Sequence, residues 1–427
     1  MKIYKLILLQ LFLSISVSSL AQVPDSIYVD YIKTVRLYNA GNQLSLPIIK
    51  LNSNDQVELH FDDMDANVKY YYYTWELCDY NWKPVNLSPF DYIKGFTEAR
   101  INNYRFSAIA NTRYTHYQAL LPERNSYPIK AGNYLLKVYL DGNKSKIAFT
   151  KRVLVVDNKA AIAAQATQPF APEFFRTHQK IQFRVDVKGL NDFNAAQNLK
   201  VVILQNNRWD NAMKNLKPAF VRGTTVEYNS ETSGIFPGGK EWRWLDLRDF
   251  KLQSDRVDSA DYKKLSTTIY LKPDGSRADQ RYIYYQDLNG MYTSEAIRGI
   301  NPFWEADYAT VNFSFVPPNN REYANQDIFL FGQLTNYSLS DSLKMTFNPD
   351  KGIYETHLLL KQGYYDYSYL LADKNNRNVH IELDGNYYET ENSYTILVYY
   401  KSFSARTDEL IGVATFNSRT DRPGFSF

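Results

Sequence analysis

Apolar and polar residues alternate with a period of two along much of the chain, which is the spacing expected of β-strands. In residues 180–187, for example, Ile181 and Phe183 alternate with Gln182. Residues 70–78 are rich in tyrosine and largely apolar on both faces, as is typical of a central strand that is covered on each side. No long amphipathic helical pattern stands out, so the sequence predicts an all-β chain.

Turn signals between these segments indicate how the strands pair. The Asp-Gly-Asn sequence at 141–143 lies between two alternating segments and predicts a β-hairpin. The first segment is entered through Gly132 and Tyr134, and a similar Gly363 and Tyr365 entry occurs late in the chain. A glycine two residues before a tyrosine at the start of a late strand is typical of immunoglobulin-type and fibronectin-type sandwiches. The fold class we predict is therefore a tandem array of immunoglobulin-like β-sandwiches.

Changes in composition divide the chain into a leader and three domains. An alanine-rich stretch at 160–172 ends in Pro-Phe-Ala-Pro and marks the first passage between domains, and a second boundary falls near 299–304. We predict a signal peptide at 1–21, an N-terminal β-sandwich at 22–157, a middle β domain at 158–303 and a C-terminal β-sandwich at 304–427.

The N-terminus has the three parts of a secretory signal. Lys2 and Lys5 precede an apolar run at 6–17, and Ser19-Leu20-Ala21 supplies a small-x-small cleavage site. The run is shorter than the roughly 20 apolar residues that a membrane-spanning helix needs. We therefore expect an exported mature chain that does not itself span a membrane.

The overall charge argues against nucleic acid as a partner. Removal of Lys2 and Lys5 with the leader takes the formal net charge from +3 to +1, so no global basic field remains. The chain contains 36 Tyr and 24 Phe, residue types that favour half-buried strand surfaces. Its one cysteine, Cys78, excludes an intramolecular disulfide and is expected to be a small buried apolar residue.

Motifs that carry catalysis or metal binding do not stand out. The five histidines lack short metal-ligand spacing, and neither a nucleophile elbow nor a phosphate-binding glycine loop occurs. The acidic stretch 62–65 lacks the glycine and distal glutamate of a calcium loop, so we interpret it as a turn. The sequence therefore predicts no enzyme, no cofactor and no metal.

The densest group of aromatic and charged residues lies just past the middle of the chain. A strand over 242–248 would place Trp242, Trp244, Asp246 and Arg248 on one face and Arg243 on the other. A nearby polar loop adds one more indole. The candidate structural or interaction residues are Arg208, Trp209, Asp210, Trp242, Arg243, Trp244, Asp246 and Arg248.

This tryptophan face has two interpretations. It is either a strand whose charges pair at its rim, or a recognition surface, since Trp and Arg dominate binding hot spots. If the face is buried, Asp246 needs a partner such as Arg248, and its replacement by alanine should cost about 3–5 kcal/mol.

A set of segments spread along the chain carries a family resemblance. They include 61–63, 78–82, 95–96, 114–117, 131–134, 178–180, 205–212, 236–248, 331–336 and 360–367. Together these segments resemble the type IX secretion system plug protein family of Bacteroidetes. The resemblance covers nearly the whole mature chain, with two departures, Lys240 for an expected Asn and Trp242 for an expected Phe.

The resemblance implies an accessory protein of the periplasm, associated with the inner side of the outer membrane and without catalysis or a cofactor. Its implied partner is the outer-membrane secretion translocon barrel, whose periplasmic mouth it plugs; we expect one copy for each translocon. The third domain also resembles the early-set sandwich of glycogen-binding modules, but Tyr337 follows where a sugar-stacking indole is expected.

Two alternatives stay open at this point. One is a carbohydrate-binding or adhesion module at the cell surface. The other is a glycan-active enzyme, which would need two carboxylates roughly 5–10 Å apart in a cleft.

Overall fold

The computed structural model describes residues 24–190, 192, 194–299 and 301–421. In these ranges the regular structure consists of β-strands and short 3-10 helices, which confirms the all-β prediction. The 3-10 helices are Pro89–Asp91, Ala195–Asn198, Pro318–Asn320, Gln333–Thr335 and Asp341–Leu343. None of the helices in the described ranges has the length and apolarity to cross a membrane. The predicted signal peptide lies outside the described residues.

The first sandwich comprises eleven strands. They are β1 (Ile32–Asn39), β2 (Ile48–Lys50), β3 (Val57–Asp63), β4 (Tyr71–Cys78), β5 (Ile93–Gly95), β6 (Glu98–Arg100), β7 (Asn103–Phe106), β8 (Thr115–Leu121), β9 (Ser126–Pro128), β10 (Gly132–Leu140) and β11 (Ile147–Val156). One sheet has the order β1-β3-β8-β7 and the other β2-β11-β10-β4-β6, while β5 and β9 form a separate pair. The two sheets enclose Phe61, Trp75, Leu136 and Phe149, each at most 1% exposed.

Two local predictions for this sandwich, the hairpin and the tyrosine-rich central strand, are confirmed. Strands β10 and β11 form the hairpin, and Asp141 and Gly142 between them have φ of +55° and +69°. Glycine reaches such left-handed conformations without the steric penalty of a side chain. The tyrosine-rich segment is β4, which lies between β10 and β6. The predicted turn at 62–65 begins two residues later, because Asp62 and Asp63 are the buried end of β3.

The second sandwich begins with seven strands. They are β12 (Ala161–Thr167), β13 (His178–Asp186), β14 (Leu199–Gln205), β15 (Met213–Lys214), β16 (Phe220–Arg222), β17 (Thr225–Tyr228) and β18 (Ile235–Pro237). The order in its first sheet is β12-β13-β17-β16, with β18 also paired to β13. Strand β13 alternates as predicted, with Ile181, Phe183 and Val185 buried.

The third sandwich follows directly. Its strands are β19 (Arg243–Asp246), β20 (Val257–Lys263), β21 (Ser266–Leu271), β22 (Tyr292–Ser294), β23 (Tyr308–Phe315), β24 (Gln326–Phe331), β25 (Thr346–Asn348), β26 (Ile353–Lys361), β27 (Gly363–Asp373) and β28 (His380–Glu382). One sheet has the order β20-β21-β23-β26-β25, and in the other β27 pairs with β19, β22, β24 and β28.

The chain then returns to the second sandwich. Strands β29 (Ser393–Tyr400) and β30 (Glu409–Asn417) complete its second sheet, which has the order β15-β14-β29-β30. Tyr394, Ile396 and Val398 of β29 belong to the same buried cluster as Ile181 and Phe183. The third sandwich is therefore an insertion between β18 and β29.

The sheets group the strands differently from the predicted boundary at 303/304. Strand β19 pairs with β27, and the last two strands pair with β14. We propose instead a first domain over 24–157, a second over 158–237 and 393–421, and a third over 243–384.

The two chain crossings between the second and third sandwiches lie side by side. The Gly239 amide donates to Oδ1 of Asn386 at 3.0 Å, and the Tyr387 amide donates to the Gly239 carbonyl at 2.8 Å. A Cβ at Gly238 would lie 2.0 Å from the Tyr387 carbonyl oxygen. The absence of a side chain at Gly238 thus permits the close approach of two backbones.

Candidate interaction site

The first and third sandwiches meet through directly opposed residues of two strand pairs. On the first sandwich, Asp62 of β3 lies opposite His116 of β8. On the third, Tyr308 of β23 lies opposite Lys361 of β26. Adjacent strands hold these side chains at fixed spacing, so the four polar groups converge on one point between the two sheets.

These residues form a buried ionic network. Lys361 Nζ lies 2.5 Å from Asp62 Oδ2, and the Tyr308 hydroxyl donates to the same oxygen at 2.5 Å. His116 Nδ1 lies 2.7 Å from Asp62 Oδ1. The side chains of Asp62 and Lys361 are each 1% exposed. An ion pair this deeply buried is stable only when both charges are fully hydrogen-bonded, and here Asp62 has three partners.

Burial and pairing shift the pKa values of these groups in opposite directions. Although burial favours the protonated acid, Lys361 and His116 together lower the pKa of Asp62. Burial lowers the pKa of Lys361, against the attraction of Asp62. Burial also lowers the pKa of His116, against its hydrogen bond to Asp62. The geometry supports an ionised Asp62–Lys361 pair beside a neutral His116.

A second contact joins the second and third sandwiches through Arg208, which follows β14. Its guanidinium lies 4.9 Å from the ring centre of Phe331 and 5.5 Å from that of Tyr337. It pairs with Asp210 at 2.7 Å and with Glu382 of β28 at 3.3 Å. Burial opposes the charge, but these two carboxylates raise the pKa of Arg208 above its usual value. Arg208 is thus an interdomain anchor, while Asp210 lies at the surface.

Trp242 belongs to the same aromatic cluster. Its ring stacks on Phe331 with centres 6.2 Å apart and meets Tyr337 edge-on at 6.4 Å. A Cβ at Gly290 would lie 2.6 Å from the Trp242 ring, so only glycine fits there. Tyr337 also donates to the Gly290 carbonyl at 3.0 Å. Packing of the Tyr337 ring inside this cluster leaves it unsuited to stacking on a sugar.

Trp209 lies at the junction of the first and second sandwiches. It meets Trp82 edge-on at 5.0 Å, and the Arg152 guanidinium lies 4.8 Å from its ring centre. Cys78, which the sequence predicts to be buried, belongs to the same apolar cluster and is 1% exposed. Burial raises the pKa of the Cys78 thiol to about 12, so the thiol stays protonated and unreactive.

Strand β19 divides the remaining candidates between its two faces. Leu245 and Leu247 point into the core of the third sandwich together with Arg243, which is 5% exposed. Arg243 Nη2 donates to Asp384 at 2.6 Å, and Nη1 lies 3.5 Å from Asp274. The buried charge that the sequence suggested on this strand is therefore Arg243 and not Asp246.

The opposite face of β19 is half-buried. Arg248 Nη2 donates to Asp246 Oδ2 at 2.6 Å, and these side chains are 36% and 25% exposed. Although burial opposes it, the hydrogen bonds from Arg248 lower the pKa of Asp246. Trp244 stacks on Tyr364 with ring centres 6.3 Å apart. Trp242 does not share this face, because it precedes the strand and turns into the aromatic cluster.

Two buried carboxylates lie close to that cluster. Asp287 accepts from the Trp242 amide at 2.6 Å, and Asp366 accepts from the Leu288 amide at 2.6 Å. Burial is the main cause that raises the pKa of Asp287 to about 7 and of Asp366 to about 8. Among the residues described, no set of three or more His, Cys, Asp or Glu side chains is placed to hold a metal ion.

The ionic network was missed by sequence reasoning. Asp62 and Lys361 are 299 positions apart in the sequence. The residues around each of them do not indicate that it has a buried partner. The segments 61–63, 114–117 and 360–367, which carried the family resemblance, contain Asp62, His116 and Lys361. The position of these three residues within the family segments was the signal in the sequence that could have identified them.

Comparison with known proteins gives two kinds of match. Residues 32–157, the first sandwich, match the family model "Type 9 secretion system plug protein 1st domain". No curated protein matches the chain. Among solved structures, the chain is similar to a hypothetical protein from Parabacteroides merdae, with 30% identity and a TM-score of 0.87. The alignment covers 93% of this chain and 99% of that one.

Two further solved structures align with low scores. Dimeric latent PorU from Porphyromonas gingivalis aligns at 9% identity and a TM-score of 0.15, over 91% of this chain and 34% of PorU. Trypsin-activated alpha-2-macroglobulin from Escherichia coli aligns at 9% identity and a TM-score of 0.17, over 92% of this chain and 35% of the macroglobulin chain. The match of the first sandwich agrees with the segments that resemble the family, and residues 32–157 are identified as a first domain of the type IX secretion system plug protein family.

Proposed function

We propose that this protein binds the outer-membrane translocon of the type IX secretion system from the periplasmic side and blocks its mouth when no substrate shuttle is engaged. The observation that carries the proposal is the family match of the first sandwich. The action is steric and needs no catalysis or cofactor. We expect one copy for each translocon, because one molecule of the plug would occupy one pore opening.

The packing of the three sandwiches supports a steric role. A plug has to keep its shape while it bears against a pore. The Asp62–Lys361 pair joins the first and third sandwiches, and Arg208 joins the second and third. A shared apolar cluster around Cys78 and Leu204 joins the first and second. Every pair of sandwiches is thus linked by buried side chains.

The half-buried face of β19 is our proposed contact with the translocon. It combines the Trp244 ring with the Asp246–Arg248 pair. A reversible interface mixes aromatic and polar groups, whereas permanent interfaces are more apolar. Arg208, Trp242 and Arg243 are buried and therefore act through the fold.

A permeability experiment tests the plug directly. Deletion of the gene should raise sensitivity to large antibiotics that the outer membrane normally excludes by size. The matched control is the same deletion in cells without the translocon, which should show no additional leak. A deletion strain that excludes these antibiotics as well as its parent, or that leaks equally without the translocon, would contradict the proposal.

Photo-crosslinking tests the contact face. A photoreactive phenylalanine analogue at Trp244 should crosslink the translocon barrel in whole cells. The control is the same analogue at Tyr270, which is 46% exposed on the other sheet of the same sandwich. Equal yields at both positions would remove β19 from the contact.

A further inference from the structure

A cavity of about 470 Å³ opens beside the ionic network, between the first sandwich and the segment that leads into β23. This volume falls within the roughly 300–1,000 Å³ range of small-ligand sites. Leu120, Phe303 and Trp304 give it an apolar and aromatic wall, and Glu58 and His60 contribute polar groups. The His60 side chain is 8% exposed and stacks on Phe303 with ring centres 3.9 Å apart.

A chain of hydrogen bonds connects Asp62 to this cavity through two imidazoles. His116 Nδ1 lies 2.7 Å from Asp62 Oδ1, and His60 Nδ1 lies 3.1 Å from His116 Nε2. Because the Asp62 carboxylate accepts, His116 carries its proton on Nδ1 and presents a lone pair at Nε2. His60 must then donate from Nδ1, which leaves a lone pair on its own Nε2.

The local charge count supports neutral imidazoles. Lys361 already balances Asp62, so a proton added to His116 would be a buried charge without a counterion. A proton on His60 would face Glu58 at 3.5 Å, but the imidazole would still carry its charge in a buried position. Burial accordingly lowers the pKa of His60 to about 3, helped by His116 and by the charges of Lys361 and Arg36, and opposed by Asp62.

The outer nitrogen of His60 therefore needs a donor. Among the described residues, this buried Nε2 has no hydrogen-bond partner, and His60 is one of the residues that line the cavity. Its polar neighbour is Glu58 Oε2 at 3.5 Å, which is also an acceptor while Glu58 is ionised. Two acceptors that face one space can be bridged by a single group with several N–H donors.

We propose that this cavity binds the cationic side chain of a lysine or arginine from an extended segment of a partner polypeptide. The ammonium or guanidinium donates to His60 Nε2 and to Glu58, and its methylene stem packs on Leu120 and Trp304. The identity of that partner as the translocon rests on the proposed function, whereas the binding chemistry does not.

The neighbouring strand β7 favours a polypeptide over a free amine. It is an edge strand of its sheet, paired with β8 alone among the described strands, and all four of its residues are exposed. Asn103 of β7 lines the cavity, while Tyr104 and Phe106 are 36% and 56% exposed. An exposed edge can pair with an added strand, and an adjacent pocket then selects a side chain.

Nuclear magnetic resonance of the purified chain, labelled with nitrogen-15 in its five histidine rings, tests the proposal. The probe is a blocked pentapeptide of threonine, valine, lysine, valine and threonine. Its control has norleucine in place of lysine. The lysine peptide should shift the His60 Nε2 resonance in the direction of a new hydrogen bond, and it should bind at least about tenfold more tightly than the control, which corresponds to about 1.4 kcal/mol.

Matched variants locate the interaction. Glu58→Gln keeps the size of the side chain and removes its charge, so it should weaken the lysine peptide about tenfold. Glu173→Gln removes an exposed carboxylate that does not line the cavity and should leave binding unchanged. His60→Gln should reduce the selectivity for lysine over norleucine, because only Glu58 then remains as the native acceptor, with the melting temperature measured alongside.

Two results would overturn the inference. One is an unshifted His60 resonance, or equal binding of the lysine and norleucine peptides. The other is binding of n-butylammonium as tight as that of the peptide, which would make the ligand a free amine. Because no translocon is present, neither result bears on whether the protein plugs the pore, and a failed permeability test would leave the peptide result standing.

Discussion

The junction of the first sandwich with the second and its junction with the third are built from different chemistry. Towards the second sandwich, Cys78 and Leu135 pack on Leu204 and Leu397 in an apolar cluster. Towards the third, Asp62 and its polar partners form the ionic network. Apolar contact is stabilising over a range of relative positions, whereas a buried ion pair is stable only in one geometry. The apolar junction supplies adhesion, and the ionic junction fixes the relative position of the two domains.

The largest effect is expected at the ionic junction. Lys361→Met should lower the free energy of unfolding by about 3–5 kcal/mol, because it leaves Asp62 as a buried charge without its partner. Urea unfolding of the purified chain measures this loss. The double variant Asp62→Asn with Lys361→Met should recover much of it. A single variant as stable as the parent would show that Asp62 is not ionised.

A somewhat smaller loss is expected at the apolar junction. Leu204→Ala removes a fully buried side chain and should cost about 2–4 kcal/mol through lost transfer energy and a residual cavity. The loss should be the same at pH 5 and pH 7.5, since no titratable group is changed. If the loss depends strongly on pH, the proposed division of chemistry between the two junctions is wrong.

Acid should act on the ionic junction. The folded protein keeps His60 neutral down to about pH 3, whereas the unfolded chain takes up a proton near pH 6.5. The unfolded state therefore binds more protons in that window, and stability falls as the pH drops from 6.5 towards 3. The slope approaches about 1.4 kcal/mol per pH unit for one group well inside the window.

The contribution of His60 can be isolated by comparing two proteins. For the parent and for His60→Gln, the free energy of unfolding is measured as a function of pH, and the two slopes are compared. Asp287 and Asp366 are present in both proteins, so their contribution cancels. The variant should lose less stability between pH 6.5 and 4.5, measured by urea unfolding at each pH. Parallel slopes would mean that the His60 pKa is not depressed.

The smallest effect is expected for the ion pair on β19. Asp246→Ala should cost less than about 1 kcal/mol, because the Asp246 and Arg248 side chains are both partly exposed and solvent screens their attraction. Thermal unfolding measures it, with Asp384→Ala as the buried counterpart that should cost several times more. A loss for Asp246→Ala as large as that for Asp384→Ala would restore the earlier expectation of a buried pair.

Local structure was predictable where a single strand carries its own pattern. The hairpin of β10 and β11 and the alternation of β13 follow from period-two sequence and an Asp-Gly turn. Strand β20 was missed, because it is a largely exposed edge strand with no apolar face to mark it. The return of β29 to β14 was missed as well, since a buried strand shows that it has a neighbour but not which one.

The candidate site was predictable only in part. The alternation on β19 correctly placed Arg243 opposite Asp246, but it could not say which face is buried. Trp242 and Arg208 were identified by residue type, and their meeting around Phe331 depends on the fold of two domains. The network of Asp62, His116 and Lys361 depends on long-range contacts that no local spacing encodes.

The insertion of the third sandwich between β18 and β29 has a consequence for how the protein is made. A chain that emerges from a membrane channel N-terminus first delivers the first sandwich complete, and then only half of the second. The buried face of β13, which includes Phe183, cannot pack against β29 until the whole third sandwich has followed. While it is delivered in this order, the chain thus carries an open apolar sheet for well over a hundred residues, and transiently exposed apolar surfaces are prone to aggregation. The architecture therefore exposes this chain to aggregation for as long as its second sandwich is incomplete.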